Sequence, residues 1–88
     1  MYHLILSNKV QKKLEKLKKR DKKNFGIIIQ HLDNLIQNPK FYGKPLTSNL
    51  AGLWSCRTAD FMIIYEIEEN KLVVVVIEIE HRKNVYDK

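Results

Sequence analysis

The sequence predicts a small α+β domain with the element order β-α-α-β-β-β, in which a helical hairpin packs on one face of a mainly antiparallel sheet. Apolar residues recur at helical spacing over residues 10–17 and again over 25–36. From residue 53 onward the pattern changes to short apolar runs rich in β-branched residues, which favour strands. The 88 residues allow one domain, which we expect to cover 1–88.

The first two elements are a short strand at residues 2–6 and a helix at 9–20. Ser7 lies just before the helix and is a good N-cap residue. The apolar positions of the helix form a narrow stripe, and lysines occupy most of its remaining surface. This helix should therefore bury one edge and keep a basic exterior. The stripe consists of Val10, Leu14 and Leu17.

A second helix at residues 22–37 carries the strongest periodic signal in the chain. Asp21 can cap its N-terminus, and the short turn before it predicts an antiparallel hairpin. Asn38-Pro39 should end the helix, because the residue before a proline avoids helical geometry. We expect residues 40–52 to form a connection. The apolar face of the helix consists of Phe25, Ile28, Ile29, Leu32, Leu35 and Ile36.

Three strands are predicted in the second half, at residues 53–57, 61–67 and 71–80. The run from Val73 to Val76 is apolar on both faces, which predicts an interior strand covered on both sides. Because the hairpin needs one sheet face to bury its apolar stripe, the other face is expected to remain free for a functional site.

Composition and charge bound the functional classes. Hydrophobic residues make up 44 %, and there are only three glycines and two prolines, so the chain is not a disordered tail. Residues 1–50 carry eleven Lys and Arg against three Asp and Glu, whereas residues 51–88 carry five against seven. Such an asymmetry indicates either a polyanionic partner or a solvated lysine face that aids solubility.

The apolar runs are too short for a secretory signal or a membrane span. We therefore expect a soluble, cytoplasmic protein with no membrane contact. One cysteine excludes an internal disulfide and a cysteine-based zinc cluster. The three histidines are far apart in the sequence, and phosphate-binding loops are absent, so we expect neither a metal nor a cofactor. Cys56 is best interpreted as a small core hydrophobe.

Four residues of the second half could form a phosphate-binding site. Arg57 ends one predicted strand, whereas His81, Arg82 and Tyr86 follow the long one. An arginine fork matches phosphate geometry, and a tyrosine can exchange a proton if its pKa falls from near 10. The alternative is an ordinary basic tail with a tyrosine packed on the sheet.

The ordered motifs of the chain resemble those of the RelE/ParE superfamily of bacterial and archaeal toxins. The resemblance runs nearly end to end and includes the Lys-rich hairpin and the strand that contains Ile63-Ile64-Tyr65. The other matching segments are Asn38-Pro39, Gly43-Lys44-Pro45-Leu46, Gly52-Leu53-Trp54-Ser55-Cys56-Arg57 and His81-Arg82-Lys83-Asn84-Val85-Tyr86.

The resemblance implies a RelE-like fold and the toxin of a type II toxin–antitoxin pair. RelE-like members cut mRNA in the ribosomal A site, using the 2′-hydroxyl of the RNA as nucleophile and no metal. The partners implied are the ribosome, mRNA and a cognate antitoxin. We expect the antitoxin to be acidic and partly disordered, to wrap the toxin and to lay a helix on the surface of residues 9–37.

Roles carried over by position follow the same resemblance. Arg82 would stabilise the transition state, Tyr86 would transfer a proton or stack on a base, and Arg57 would hold the RNA backbone. His81 matches a position that often precedes the catalytic arginine, and it would contact RNA or the ribosome. The remaining contacts to RNA or the ribosome would be salt-sensitive. They would come from Lys83, Lys44, Lys12, Lys16 and Lys19.

One position departs from the family pattern. Many RelE-like members carry a second arginine in the middle strand, two or three residues before the tyrosine, but this chain has Met62 there. Leu53 and Ser55 also stand where the best-known catalytic set has lysines. Two alternatives therefore stay open: a ParE-like inhibitor of DNA gyrase on the same fold, and a degenerate toxin homologue without enzymatic activity.

Overall fold

The computed structural model describes residues 1–46, 52–58 and 60–81. Their order along the chain is β-α-α-α-β-β-β-β, so the predicted α+β class is confirmed. The elements are β1 (His3–Leu6), α1 (Asn8–Arg20), α2 (Lys22–Gln37), α3 (Pro39–Tyr42), β2 (Lys44–Pro45), β3 (Trp54–Arg57), β4 (Phe61–Glu68) and β5 (Val73–His81).

Both long helices begin at the predicted caps. The Ser7 hydroxyl accepts a hydrogen bond from the Val10 amide at 3.2 Å, and an Asp21 carboxylate oxygen accepts one from the Asn24 amide at 3.2 Å. Each bond satisfies an amide that has no partner inside its helix. Asp21 alone separates the two helices, because it is both the C-cap of α1 and the N-cap of α2, and this tight turn forms the hairpin.

The five strands form one mixed sheet in the order β1-β5-β4-β3-β2. β1 pairs in parallel with β5, and the other three pairings are antiparallel, in agreement with the mainly antiparallel sheet predicted. β5 is therefore interior, as its run of valines predicts. The prediction that both faces of β5 are covered is only partly confirmed, because Val74 and Val76 are buried while Val73 and Val75 are half-buried.

The hairpin packs on one face of the sheet and builds the core. Ile28, Leu32 and Leu35 of α2 are at most 2 % exposed, and Ile63 and Tyr65 of β4 are fully buried among them. Burial of such side chains stabilises the fold by about 1.5–3 kcal/mol each. Neither α1 nor α2 covers the opposite face, so it is available for a site.

A bulge in β5 changes which of its residues face the core. Ile64 pairs with Glu78 whereas Tyr65 pairs with Val76, which leaves Ile77 as an extra residue. Strict alternation from Val76 would direct Glu78 towards the helices. Because of the bulge, Ile79 is buried instead and Glu78 shares the open face with Ile64.

The predicted connection at 40–52 contains two elements that sequence patterning missed. Pro39 ends α2 as expected, yet it also begins the four-residue helix α3. Lys44–Pro45 then forms β2 at the edge of the sheet. Neither element is long enough to show a period. Among the described residues, no helix is both long and apolar enough to cross a membrane.

Candidate functional site

The face of the sheet opposite α1 and α2 carries polar side chains of neighbouring strands. Cross-strand pairing places Arg57 of β3 beside Met62 of β4, and Met62 beside Glu80 of β5. Neighbouring strands lie about 4.8 Å apart, so the three residues form a row across the sheet. A guanidinium and a carboxylate thus flank an apolar thioether on one open surface.

A groove of about 510 Å³ lies along the β2–β3 edge of this face. Lys44 and Arg57 contribute the charged groups of its lining, and both side chains are exposed. Phe41 and Tyr42 of α3 form part of its wall, and Met62 also lines it. The groove therefore combines cations with aromatic rings, and no acidic residue of the described chain lines it.

Tyr65 fixes the position of α3 beside this groove. Its hydroxyl donates a hydrogen bond to the carbonyl oxygen of Pro39 at 2.6 Å, and its side chain is fully buried. Burial raises the pKa of this phenol well above its usual value of 10, so it stays protonated and keeps donating. The ring of Trp54 stacks on Tyr65 with centroids 6.5 Å apart. These contacts make Tyr65 a structural residue.

Gly43 is required where the chain passes over Tyr65. A Cβ atom at this position would overlap the Tyr65 hydroxyl and lie 2.8 Å from the carbonyl oxygen of Ser55. The close approach, rather than the backbone angles, demands glycine here, since Gly43 itself is in extended geometry. Close packing against Tyr65 therefore explains why a glycine precedes Lys44 in the motif that carries the family resemblance.

His81 lies on the opposite face from Arg57. It pairs with Phe61, and the two rings contact edge to face with centroids 5.1 Å apart. The surrounding depression of about 250 Å³ is lined by residues of α1, including Lys16 and Arg20. The prediction that His81 and Arg57 share one phosphate site is not supported by this placement, because the strand alternation separates the two side chains.

The three lysines predicted on α1 are brought together. Lys12, Lys16 and Lys19 are exposed and line one shallow depression with Glu15. Lys44 is separate from them, because α1 contacts β1 and β5 whereas β2 is the far edge of the sheet. Arg82, Lys83 and Tyr86 lie outside the described residues, and Arg82 follows His81 directly in the sequence.

Sequence reasoning missed the two glutamates of β5 on the open face. Lys9 Nζ of α1 lies 2.6 Å from Glu78 Oε2, and Lys13 Nζ lies 4.0 Å from Glu80 Oε1. Burial alone would raise the pKa of Glu78, but the hydrogen bond and charge of Lys9 outweigh it, so the pKa is lowered. The sequence pattern that indicates these ion pairs is the alternation Ile77-Glu78-Ile79-Glu80 together with a lysine-rich helix.

The Glu78 pKa predicts how stability depends on pH. A carboxyl whose pKa is lower in the folded state stabilises the fold above its unfolded pKa, about 4.3 for glutamate. That stabilisation is lost as the pH falls through the folded pKa. We expect Glu78→Gln to lower the melting temperature by a few degrees at pH 7 and to flatten its decline below about pH 4.3. Thermal unfolding between pH 7 and 3 measures this, with Asp33→Asn on α2 as a control that should behave like the wild type.

The described part of the chain contains neither a cluster of metal ligands nor a reactive thiol. No three His, Cys, Asp or Glu side chains gather as ligands there. Cys56 is 5 % exposed and burial raises the pKa of its thiol, which disfavours the reactive thiolate. This agrees with the core role predicted for it.

Comparison with known proteins places these features in a family. Residues 4–86 match the model of the ParE toxin of the type II toxin–antitoxin system parDE. The chain is 30 % identical over 89 residues to the RelE4 protein of Methanocaldococcus jannaschii, covering 100 % of this chain and 94 % of that protein. It is 34 % identical over 53 residues to the toxin RelG of Mycobacterium tuberculosis, covering 60 % of this chain and 61 % of RelG.

Solved structures agree with this placement. The toxin–antitoxin complex RelBE2 of Mycobacterium tuberculosis contains a chain with a TM-score of 0.80 and 27 % identity, covering 92 % of this chain and 98 % of that one. The archaeal RelE–RelB complex of Pyrococcus horikoshii gives a TM-score of 0.71 at 21 % identity, covering 92 % and 94 %. The second likeness shows a shared fold alone.

Proposed function

We propose that this chain, which belongs to the RelE/ParE toxin superfamily of type II toxin–antitoxin systems, is an endonuclease that cleaves mRNA. It acts in the A site and depends on the ribosome. The observation that carries the proposal is the sheet face opposite α1 and α2, where Arg57 and Lys44 line a groove to which no acidic residue among those described contributes. Such a groove suits the backbone of an RNA strand.

The proposed reaction is a transesterification within the RNA. The 2′-oxygen attacks the adjacent phosphorus, the bond to the 5′-oxygen breaks, and the products carry a 2′,3′-cyclic phosphate and a 5′-hydroxyl. One proton leaves the 2′-hydroxyl and one joins the departing 5′-oxygen. Catalysis must then come from positioning and from stabilising the extra negative charge on the phosphorane-like transition state.

We assign these tasks by position. Arg57 holds the backbone phosphate from the open face, and its planar fork can donate two parallel hydrogen bonds. Arg82 stabilises the developing charge, and Tyr86 transfers a proton or stacks on a base. Lys83 and the lysines of α1 bind RNA or the ribosome through salt-sensitive contacts. His81 packs on Phe61, so its role is to support the end of β5 rather than to contact the Arg57 phosphate.

Met62 limits the positive charge available at the centre of this face. It lies between Arg57 and Glu80 in the cross-strand row, where the family resemblance leads one to expect a guanidinium. A thioether cannot bind a phosphate. We therefore assign the guanidinium groups of the site to Arg57 and Arg82 alone, and we expect activity to be unusually sensitive to the loss of either arginine.

The second candidate is inhibition of DNA gyrase. Two observations favour it: the matching family model is that of the ParE toxin, and Met62 replaces the middle-strand arginine. Against it stands the ending His81-Arg82, which resembles RelE-like members. A degenerate homologue without activity is the third candidate, and cytotoxicity on induced expression would argue against it.

The toxin family implies a cognate antitoxin, and RelBE2 and RelE–RelB are solved as toxin–antitoxin complexes. We propose an acidic, partly disordered partner that folds a helix onto the basic surface of α1 and α2 in the cytoplasm. Co-expression with the neighbouring gene product tests this. Joint purification supports it, and purification of the toxin alone would count against it.

Two assays in parallel separate the target classes. The purified protein is added to a cell-free translation reaction and, separately, to a gyrase supercoiling reaction. The endonuclease proposal expects translation to stop with shortened mRNA while supercoiling continues. Loss of supercoiling with intact mRNA would instead establish the gyrase candidate, and no effect in either reaction would favour the degenerate homologue.

A further inference from the structure

Two aromatic side chains of α3 are exposed rather than packed in the core. Phe41 and Tyr42 expose 73 % and 42 % of their surface, and their rings meet edge to face at 5.0 Å between centroids. Both side chains line the groove on the open face. Leaving such rings in water forgoes the free energy of burial, so an exposed pair at a groove indicates a binding site.

The charges around the pair identify the kind of ligand. Lys44 and Arg57 line the same groove and are exposed. Flat aromatic surfaces beside a row of cations are the pattern of sites for single-stranded nucleic acid, where bases stack on the rings and cations track the phosphates. An acidic peptide would use the cations, but it has no flat base to place on Phe41.

The pair is also held in place before any ligand arrives. The amides of Phe41 and Tyr42 donate hydrogen bonds to the Asn38 carbonyl oxygen at 3.1 and 3.2 Å. Pro39 accepts the hydrogen bond from the buried Tyr65 hydroxyl, and Lys40 forms an ion pair with Glu69 of the turn before β5. Little ordering is therefore needed when a ligand binds, which favours affinity.

We infer that Phe41, supported edge to face by Tyr42, provides a stacking platform for one unpaired base of the RNA strand whose phosphates Lys44 and Arg57 hold. The inference rests on the proposed function and deepens it, because it names a subsite for one unstacked nucleotide of the RNA strand. Stacking does not read the base edge, so the platform accepts any base and does not fix one sequence.

The test is direct binding of a short RNA, measured by fluorescence anisotropy at low salt. The probe is a labelled hexaadenylate with 2′-O-methyl riboses, which has no nucleophile and stays intact. Phe41→Ala should weaken binding roughly 5- to 100-fold, and Phe41→Tyr should retain it because the ring remains. Leu72→Ala removes a side chain that is 50 % exposed outside the groove and should bind like the wild type.

A second probe separates stacking from charge. An abasic hexamer of the same length and charge should bind the wild type weakly, and Phe41→Ala should weaken that binding no further. Equal binding of the hexaadenylate by the wild type and Phe41→Ala would overturn the inference. So would equal binding of the two probes by the wild type, no binding of the hexaadenylate at all, or a Phe41 effect seen only with a polyglutamate peptide.

The platform and the endonuclease proposal can fail separately. If the wild type binds the hexaadenylate through Phe41 but leaves mRNA intact on ribosomes, the platform stands and the cleavage proposal fails. If mRNA is cut but neither Phe41 nor the base affects binding, the cleavage proposal stands and the platform is wrong.

Discussion

Gly43→Ala is expected to lower the melting temperature by about 12 °C or more, the largest effect of any conservative change on this surface. The new Cβ would overlap the Tyr65 hydroxyl and approach the Ser55 carbonyl oxygen to 2.8 Å. Relief requires moving a backbone strand or breaking the buried hydrogen bond to Pro39. Overpacking and a lost buried hydrogen bond together cost about 3 kcal/mol or more, and about 4–8 °C accompany each kcal/mol in a domain of this size.

Gly26→Ala is the matched control for that experiment. Gly26 lies in α2 with no atom within 4 Å of an added Cβ, and alanine is preferred over glycine inside helices by about 0.5–1 kcal/mol. The same chemical change should therefore raise the melting temperature at Gly26 and lower it at Gly43. A Gly43→Ala variant as stable as the wild type would show that α3 is not held against Tyr65 as described.

Arg57→Ala is expected to reduce mRNA cleavage about 100-fold or more while the protein stays folded. The side chain is exposed on β3, so its loss leaves the core intact. Removal of one preorganised charge donor commonly costs a factor of about 10²–10³ in rate, and Met62 offers no substitute. Arg57→Lys should give an intermediate rate, because it keeps the charge but loses the two-donor fork.

Cleavage by Arg57→Ala is measured on programmed ribosomes at saturating and limiting toxin concentrations. Lys71→Ala is the control, since Lys71 is exposed in the turn before β5 and lines no part of the groove. Circular dichroism confirms folding of each variant. A rate for Arg57→Ala within threefold of the wild type would remove Arg57 from the site.

The elements predicted correctly are those defined by local patterns. The apolar stripes and the caps Ser7 and Asp21 are local features, and they predicted α1 and α2 to within one residue. β4 and β5 were predicted from runs of apolar, β-branched side chains. α3 and β2 were missed because a four-residue helix shows no period, and because β2 exists only through its pairing with β3.

The site was less predictable because it depends on long-range pairing. The sequence placed Arg57 and His81 at strand ends, but their faces depend on the register of β4 and β5. The Ile77 bulge then exchanges the faces of β5, so that Glu78 lies half-buried on the open face and Ile79 is buried in the core. No local pattern specifies such an extra residue. The roles of Arg82 and Tyr86 stay predictions.

Primer extension on an mRNA in a programmed ribosome, with wild type and Arg82→Ala compared side by side, tests the endonuclease most directly. We expect cuts within the A-site codon from the wild type and none from Arg82→Ala, with both proteins folded. Equal cuts from both would contradict the role of Arg82. No cuts from either, while the wild type still arrests growth, would contradict the endonuclease itself and point to gyrase.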